Sequence, residues 1–335
     1  MMGELGWSFV AMKNGEEIVS RHEGWMDRRE ERAWTRETLA PVWSATKGPM
    51  AATLLMALHR AGMDSEALVG RVWPELKVAD LTFGELFSHQ GGLAGLDEMA
   101  SIWDREAVIA ALEKQEPDWP VGRHGYHPRT IGFLAEEVVR RVDGRSLGDF
   151  WQEEIAEPNK IEFWIGLPES EDQRVAELVP ARLGKGGKPE AFYEALLTKG
   201  TLTRKAFGSP GGLSGVAEMN EAKGWRAGFP AMGGVGSAVG LANFYDWVLR
   251  QGFLKELIEP RVSGWDEIQR IENSFGFGMM LGLGPKKNCF GHPGAGGSYG
   301  FANATTGESF AFVMNRFEAN LYPSEERLSL ANIPS

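Results

Sequence analysis

The chain has 335 residues, 43% of them hydrophobic and 24% charged, with a formal net charge of −11. That composition supports one large core or two closely packed lobes, and the acidic balance removes the electrostatic case for a nucleic-acid or anionic-membrane partner. The single cysteine, Cys289, excludes an intrachain disulfide and a thiolate metal cluster.

The first element is an apolar stretch, Gly6 to Met12, followed by Asn14-Gly15 and then Ile18 and Val19. Asn-Gly between two such runs predicts a hairpin, because both turn positions need positive φ. No basic leader with an apolar core opens the chain and no apolar run reaches membrane-spanning length, so the expected location is the cytoplasm. Ser44 to Gly62 then reads as a helix. Pro49 lacks the N–H that would bond back toward Ala45, which predicts a tightened or kinked opening turn. Thr82-Phe83-Gly84-Glu85 matches a capping box. Ile131, Leu134, Ala135, Val138, Val139 and Val142 form one apolar helix face with Gly144 as its stop, and Pro128 suits a first helical position. Ser146 to Asp149 reads as another helix start, and Gly184 to Lys188 as a solvated loop.

The C-terminal part reads as strands again: Phe275 to Leu283, Ser298 to Asn303, and, after a Thr305-Thr306-Gly307 turn, Ser309 to Asn315. In the last, Phe310, Phe312 and Met314 alternate with smaller residues. Strands at both ends with helices between predict an α/β (α+β) protein. An antiparallel sheet built from both termini (1–62 and 228–335) would be joined to a mainly helical lobe over 63–227, with a ligand cleft between the two.

Three segments carry candidate chemistry. Trp43-Ser44-Ala45-Thr46-Lys47 holds the one Ser-x-x-Lys in the chain. At i and i+3 on a helix the amine reaches the hydroxyl, and a lysine whose pKa is lowered by burial activates a serine that is otherwise a poor nucleophile. Composition alone also yields roughly one such tetrapeptide by chance. Gly125-Tyr126-His127-Pro128 presents a loop tyrosine, fit either to relay a proton or to pack beneath the following helix. Gly291-His292-Pro293-Gly294-Ala295-Gly296-Gly297-Ser298 is glycine-rich, fit either to bring a backbone N–H against a ligand or simply to connect strands.

Taken in order with Leu86-Phe87-Ser88-His89-Gln90-Gly91-Gly92-Leu93, Phe163 to Pro168 and Ala231 to Ser237, these segments resemble the class C β-lactamase-related serine hydrolases. Within that group they resemble the family VIII carboxylesterases, over almost the whole chain. The resemblance implies the two-lobed β-lactamase/DD-peptidase-like fold, Ser44 as nucleophile, Lys47 as its base and Tyr126 as proton relay. His292-Pro293-Gly294 would stand where β-lactamases carry Lys-Thr-Gly, and the Ala295 N–H would join that of Ser44 in an oxyanion hole. The chain departs from the β-lactamase pattern at Pro128, where an asparagine would contact an amide side chain, and at His292, where a lysine would favour a carboxylate. Both departures favour a neutral ester. By the same comparison the chain reads as short at both ends.

Other motifs read as structural. Gly296-Gly297-Ser298-Tyr299-Gly300 lacks the strand–turn–helix context of a nucleophile elbow. His89 and His124 lack metal-ligand spacing, and His89 is expected to bond backbone within its own turn. Cys289 is expected to be an inert buried thiol. Trp43, Trp225 and Phe229 are candidates for an acyl pocket. The expectation is an esterase for small carboxylic esters of short to medium acyl chain, with no cofactor, no metal and neither nucleic acid nor membrane as a partner. The alternatives are a β-lactamase or D-Ala-D-Ala-type peptidase, an acyltransferase, and a catalytically idle binding protein of this fold. Oligomeric state and natural substrate are not readable from the sequence.

Overall fold

The Asn-Gly turn forms as predicted. β1 (Gly6–Lys13) and β2 (Glu16–Gly24) are joined through Asn14 at φ +53° and Gly15 at φ +85°. A computed structural model describes residues 4–120, 122–180, 191–318 and 320–332; the expected loop at Gly184 to Lys188 lies outside them. β3 (Ala40–Pro41) leads into a 3₁₀ turn over Trp43–Thr46, which passes directly into the Lys47–Arg60 helix. The tightened opening is therefore present and lies ahead of Pro49. Pro49 itself is the third residue of the α-helical segment, where its missing N–H forfeits no intrahelical bond.

The capping box at Thr82 and Glu85 has both of its reciprocal bonds, but it starts only a short turn. The backbone breaks at His89, φ +69°. The amphipathic helix runs over Thr130–Asp143 and ends in a left-handed Gly144. It begins two residues after Pro128, which stands outside it, contrary to the expectation for that proline. Ser146 caps the Leu147–Trp151 helix through the Asp149 N–H. The run from Phe275 to Leu283 is not one strand: β7 (Glu272–Phe275) ends where it begins, and β8 (Met280–Leu281) follows a turn with Gly278 at φ +67°.

With β6 (Val262–Trp265), β9 (Cys289–Pro293), β10 (Tyr299–Asn303) and β11 (Glu308–Met314), these make an eight-stranded antiparallel sheet ordered β2-β1-β11-β10-β9-β8-β7-β6. The two chain ends meet in it next to the β2 edge, where Trp7 of β1 pairs with Met314 of β11 and Lys13 with Glu308. Both faces are covered, so the alternation along β11 divides its side chains between two cores rather than between core and water. Ala311 and Val313 join the large core against the helices, while Phe310, Phe312 and Met314 join Trp7, Phe9 and Tyr299 on the opposite face. The Ala238–Val248 helix covers the first face. On the second, Leu328 and Ala331 of the C-terminal segment pack against the aromatic cluster.

β5 (Gly234–Gly236) pairs with β3 on one side and with β4 (Phe163–Ile165) on the other in a small second sheet. That sheet anchors the serine turn, because Val42 N–H donates to the Gly234 carbonyl at 2.9 Å. No helix among the described residues is long and apolar enough to cross a membrane.

Candidate active site

Ser44 sits in the 3₁₀ turn, half-buried, with Trp43 before it at φ +50°. A bulky residue adopts that conformation only where its surroundings impose it, at a cost of about 1–3 kcal/mol. The surroundings are visible. Thr46 Oγ1 donates to the Trp43 carbonyl and accepts the Gly234 N–H at 2.9 Å, tying the turn to β5. On the other side, the end of β9 presses against the turn. A Cβ on Gly294 would lie 2.0 Å from the Val42 carbonyl oxygen, so only glycine permits this approach.

Lys47, one helical turn after Ser44, is fully buried. Its Nζ lies 3.4 Å from Ser44 Oγ and 2.9 Å from each of two backbone carbonyl oxygens, Pro128 and Ala231. Lys47 forms no ion pair among the described residues, and burial drives its amine well below the usual lysine value. The ammonium-ward face of the Tyr126 ring lies beneath it, with Nζ 4.7 Å from the ring centroid. A neutral amine has two N–H bonds and one lone pair. Carbonyl oxygens only accept, so they take both N–H groups and leave the lone pair for the Ser44 hydroxyl.

Tyr126 is buried, and its hydroxyl has no partner in hydrogen-bonding geometry among the described residues. Burial pushes the phenol above its ordinary pKa, and Ser44 is the neighbour that pulls it back. The Tyr126 loop is held from behind by the buried Asp266. Both carboxylate oxygens of Asp266 accept the Tyr126 N–H at 3.1 Å, and they also receive the Ile268, Gln269 and Asn273 donors.

Three buried histidines surround the tyrosine, and all are driven toward the neutral form. His292 stacks on it at 5.7 Å, and burial lowers the His292 pKa to about 3. Its Nδ1 is bound to the Pro293 carbonyl at 2.6 Å, which leaves Nε2 as an unpartnered acceptor. His127 is lowered to about 3 by burial, its Nδ1 bonded to the Gly125 carbonyl and its Nε2 to the Leu93 N–H. His89 contacts Tyr126 edge-on at 5.1 Å and accepts the His127 N–H at 3.2 Å. It bonds backbone, but of a segment 38 residues away rather than of its own turn.

Gly294 closes its turn by accepting the Gly297 N–H at 3.0 Å, and Ala295 at the tip is exposed. The Ala295 N–H has no backbone partner among the described residues. The structure thus brings Ser44, Lys47, Tyr126 and His292 together, with Gly294 packed directly on the serine turn.

The three acyl-pocket candidates are not brought together. Trp43 meets Phe317 edge-on at 5.8 Å. Trp225 packs among Leu39, Leu167, Val175 and Val235. Phe229 lines a cavity of about 900 Å³ with Trp103, Phe133 and Trp164, whose lining includes none of Ser44, Lys47 and Tyr126. The partners of Trp225 come from three parts of the chain: Leu39, the Leu167 to Val175 stretch, and Val235. Ser298 is buried and followed by β10, not by a helix. Cys289 is buried in β9, where desolvation raises its thiol pKa. No group of three or more His, Cys, Asp or Glu among the described residues is placed to hold a metal. Thr46 and Asp266 were not legible as site residues. Their hydrogen bonds run to residues 188 and 140 positions away.

Known proteins place this geometry. The chain is 28% identical to the esterase/beta-lactamase LipL of Mycobacterium tuberculosis over 93% of its own length and 77% of the relative's. It is 34% identical to a penicillin-binding protein homologue from Caulobacter crescentus, whose structure superposes with a TM-score of 0.84 over 98% of this chain and 91% of that one. A family VIII carboxylesterase superposes at 0.86 with 29% identity, over the same shares of the two chains. The beta-lactamase family profile matches residues 1–332. A fold shared across that span, with a buried lysine one helical turn from a serine, leads to one assignment: the chain belongs to the beta-lactamase family.

Proposed function

We propose that the protein is a serine esterase that cleaves small, neutral carboxylic esters of short to medium acyl chain through an acyl-enzyme on Ser44. The observation that carries this reading is Lys47: fully buried, without a carboxylate partner among the described residues, and 3.4 Å from the serine hydroxyl. Similarity to an esterase/beta-lactamase and to a family VIII carboxylesterase supports it.

In this mechanism Ser44 Oγ attacks the ester carbonyl carbon while its proton passes to the neutral Lys47 amine. The oxyanion is held by the N–H groups of Ser44 and Ala295. Collapse breaks the bond to the alcohol oxygen, which takes the proton back from the Lys47 ammonium through the Tyr126 hydroxyl. A water then attacks the acyl-enzyme, giving its proton along the same route and releasing the acid and free Ser44. Tyr126 acts as a neutral relay, because burial disfavours a phenolate there.

Neutral His292 bears on the substrate. It offers a lone pair where a cation would attract a carboxylate, which favours an uncharged ester over an anionic lactam. Hydrolysis of p-nitrophenyl butyrate by the purified protein beside Ser44→Ala tests the proposal. Turnover that vanishes in the variant is expected; equal slow rates in both would overturn it.

A further inference from the structure

The oxyanion-stabilising turn has a support of its own. Within Gly294–Ser298 the Gly294 carbonyl faces inward to the Gly297 N–H, and the Gly294 N–H donates to the Ser298 carbonyl at 2.7 Å. A trans peptide sets C=O and N–H on opposite sides, so the inward Gly294 carbonyl turns the Ala295 N–H outward. The orientation of that N–H therefore depends on the turn keeping its shape.

Five glycines in ten residues (291–300) make this a pliable segment. What grips it comes from the C-terminal segment. The Gly296 carbonyl accepts two donors, the Glu318 N–H at 3.0 Å and Arg327 Nη1. Gly297 stands at φ +112°, and a Cβ there would lie 1.5 Å from Arg327 Nη1, so the guanidinium occupies the space a side chain would need. Phe317 lies against Gly296 and also meets Trp43, the residue before the serine.

Arg327 is only 1% exposed. It pairs with Glu4 at 2.6 Å and Glu318 at 3.3 Å, donates to the Arg316 carbonyl at 3.2 Å, and its own carbonyl accepts the Tyr299 hydroxyl at 3.0 Å. These contacts fix the guanidinium against residues near both chain ends and present one N–H to the turn. Planar, multidentate geometry of this kind suits arginine and not lysine.

We infer that Arg327 is a positioning residue for catalysis: through the Gly296 carbonyl it holds the turn that aims the Ala295 N–H at the oxyanion. The inference rests on the esterase reading. It implies that losing Arg327 lowers the rate of the chemical step while leaving substrate binding and the Lys47 base intact.

The test compares wild type with Arg327→Lys and with Arg327→Met/Glu4→Gln, the pair that leaves no stranded Glu4 carboxylate. Gly297→Ala is a third variant that disturbs the same contact with every charge in place. For each variant with a cooperative melt, kcat and KM for p-nitrophenyl butyrate are measured beside inhibition by a trifluoromethyl ketone, whose hemiketal carries the oxyanion. The expected result is a kcat lowered about 10- to 100-fold, KM within about 3-fold, and inhibitor affinity lost in proportion to kcat. The acid limb of the pH profile stays where it is in wild type. Folded variants that melt earlier but keep wild-type kcat and inhibitor affinity would overturn the inference and leave Arg327 a structural strut. Failure of the esterase reading is seen separately, as a wild type no faster than Ser44→Ala.

Discussion

Two long basic side chains are buried near the serine turn, and the protein treats them in opposite ways. Lys47 and Arg327 are 0% and 1% exposed. Arg327 has Glu4 and Glu318 beside it. Lys47 has two carbonyl oxygens, a tyrosine ring and histidines that are themselves held neutral. The guanidinium paired with two carboxylates serves as a strut. Burial of the amine without a counter-ion instead favours loss of its proton, because desolvation penalises the ammonium and no ion pair offsets it. The proposed base is thus a lysine kept away from carboxylates, and the proposed support of the turn an arginine given two.

The largest effect tests the base directly. Arginine keeps its proton in any protein environment, so Lys47→Arg is expected to lose as much ester hydrolysis as Lys47→Ala, at least about 10³-fold in kcat/KM. An arginine variant within tenfold of wild type would break the comparison by showing that positive charge suffices. Tyr126→Phe removes the relay and leaves the base, with an expected loss of about 10²- to 10⁴-fold in kcat. A rate unchanged by that substitution would return Tyr126 to a packing role.

His292→Asp would place a carboxylate beside Lys47 and push the lysine toward Arg327's condition. The Lys47 pKa rises, so the acid limb of kcat/KM is expected to move to higher pH, as read from a pH–rate profile. A limb that does not move would assign it to another group. The smallest effect is on stability. His127 and His292 titrate near 3 in the folded protein because burial opposes their charge, against about 6.5 when unfolded. Between those values the unfolded chain binds protons that the folded chain refuses, so stability falls as pH drops from about 6.5 toward 3. Urea midpoints should show that decline, and His292→Gln should flatten it.

Local physics made much of the molecule readable. The Asn14-Gly15 hairpin, the Thr82 capping box, the Thr130–Asp143 helix with its Gly144 stop and the Ser146 cap each depend on neighbours within a few residues. All four form as expected. Ser44 and Lys47 were legible for the same reason, since three residues of helix set their separation. Pro128 was misplaced at a first helical position: the helix begins at Thr130, and the proline's part in the site is its carbonyl, bonded to Lys47 81 residues away.

What the sequence determined by itself, then, was what short-range geometry and side-chain chemistry decide: the elements, their caps, and a serine within reach of a lysine. It did not determine the protonation state of that lysine, the partner of His89, the scattering of Trp43, Trp225 and Phe229, or the grip of Arg327 on Gly296. Those depend on which groups are buried together and which carboxylates are kept near or far. Desolvation and ion pairing act through space, so only the folded arrangement lowers the Lys47 pKa and pairs Arg327 with two carboxylates.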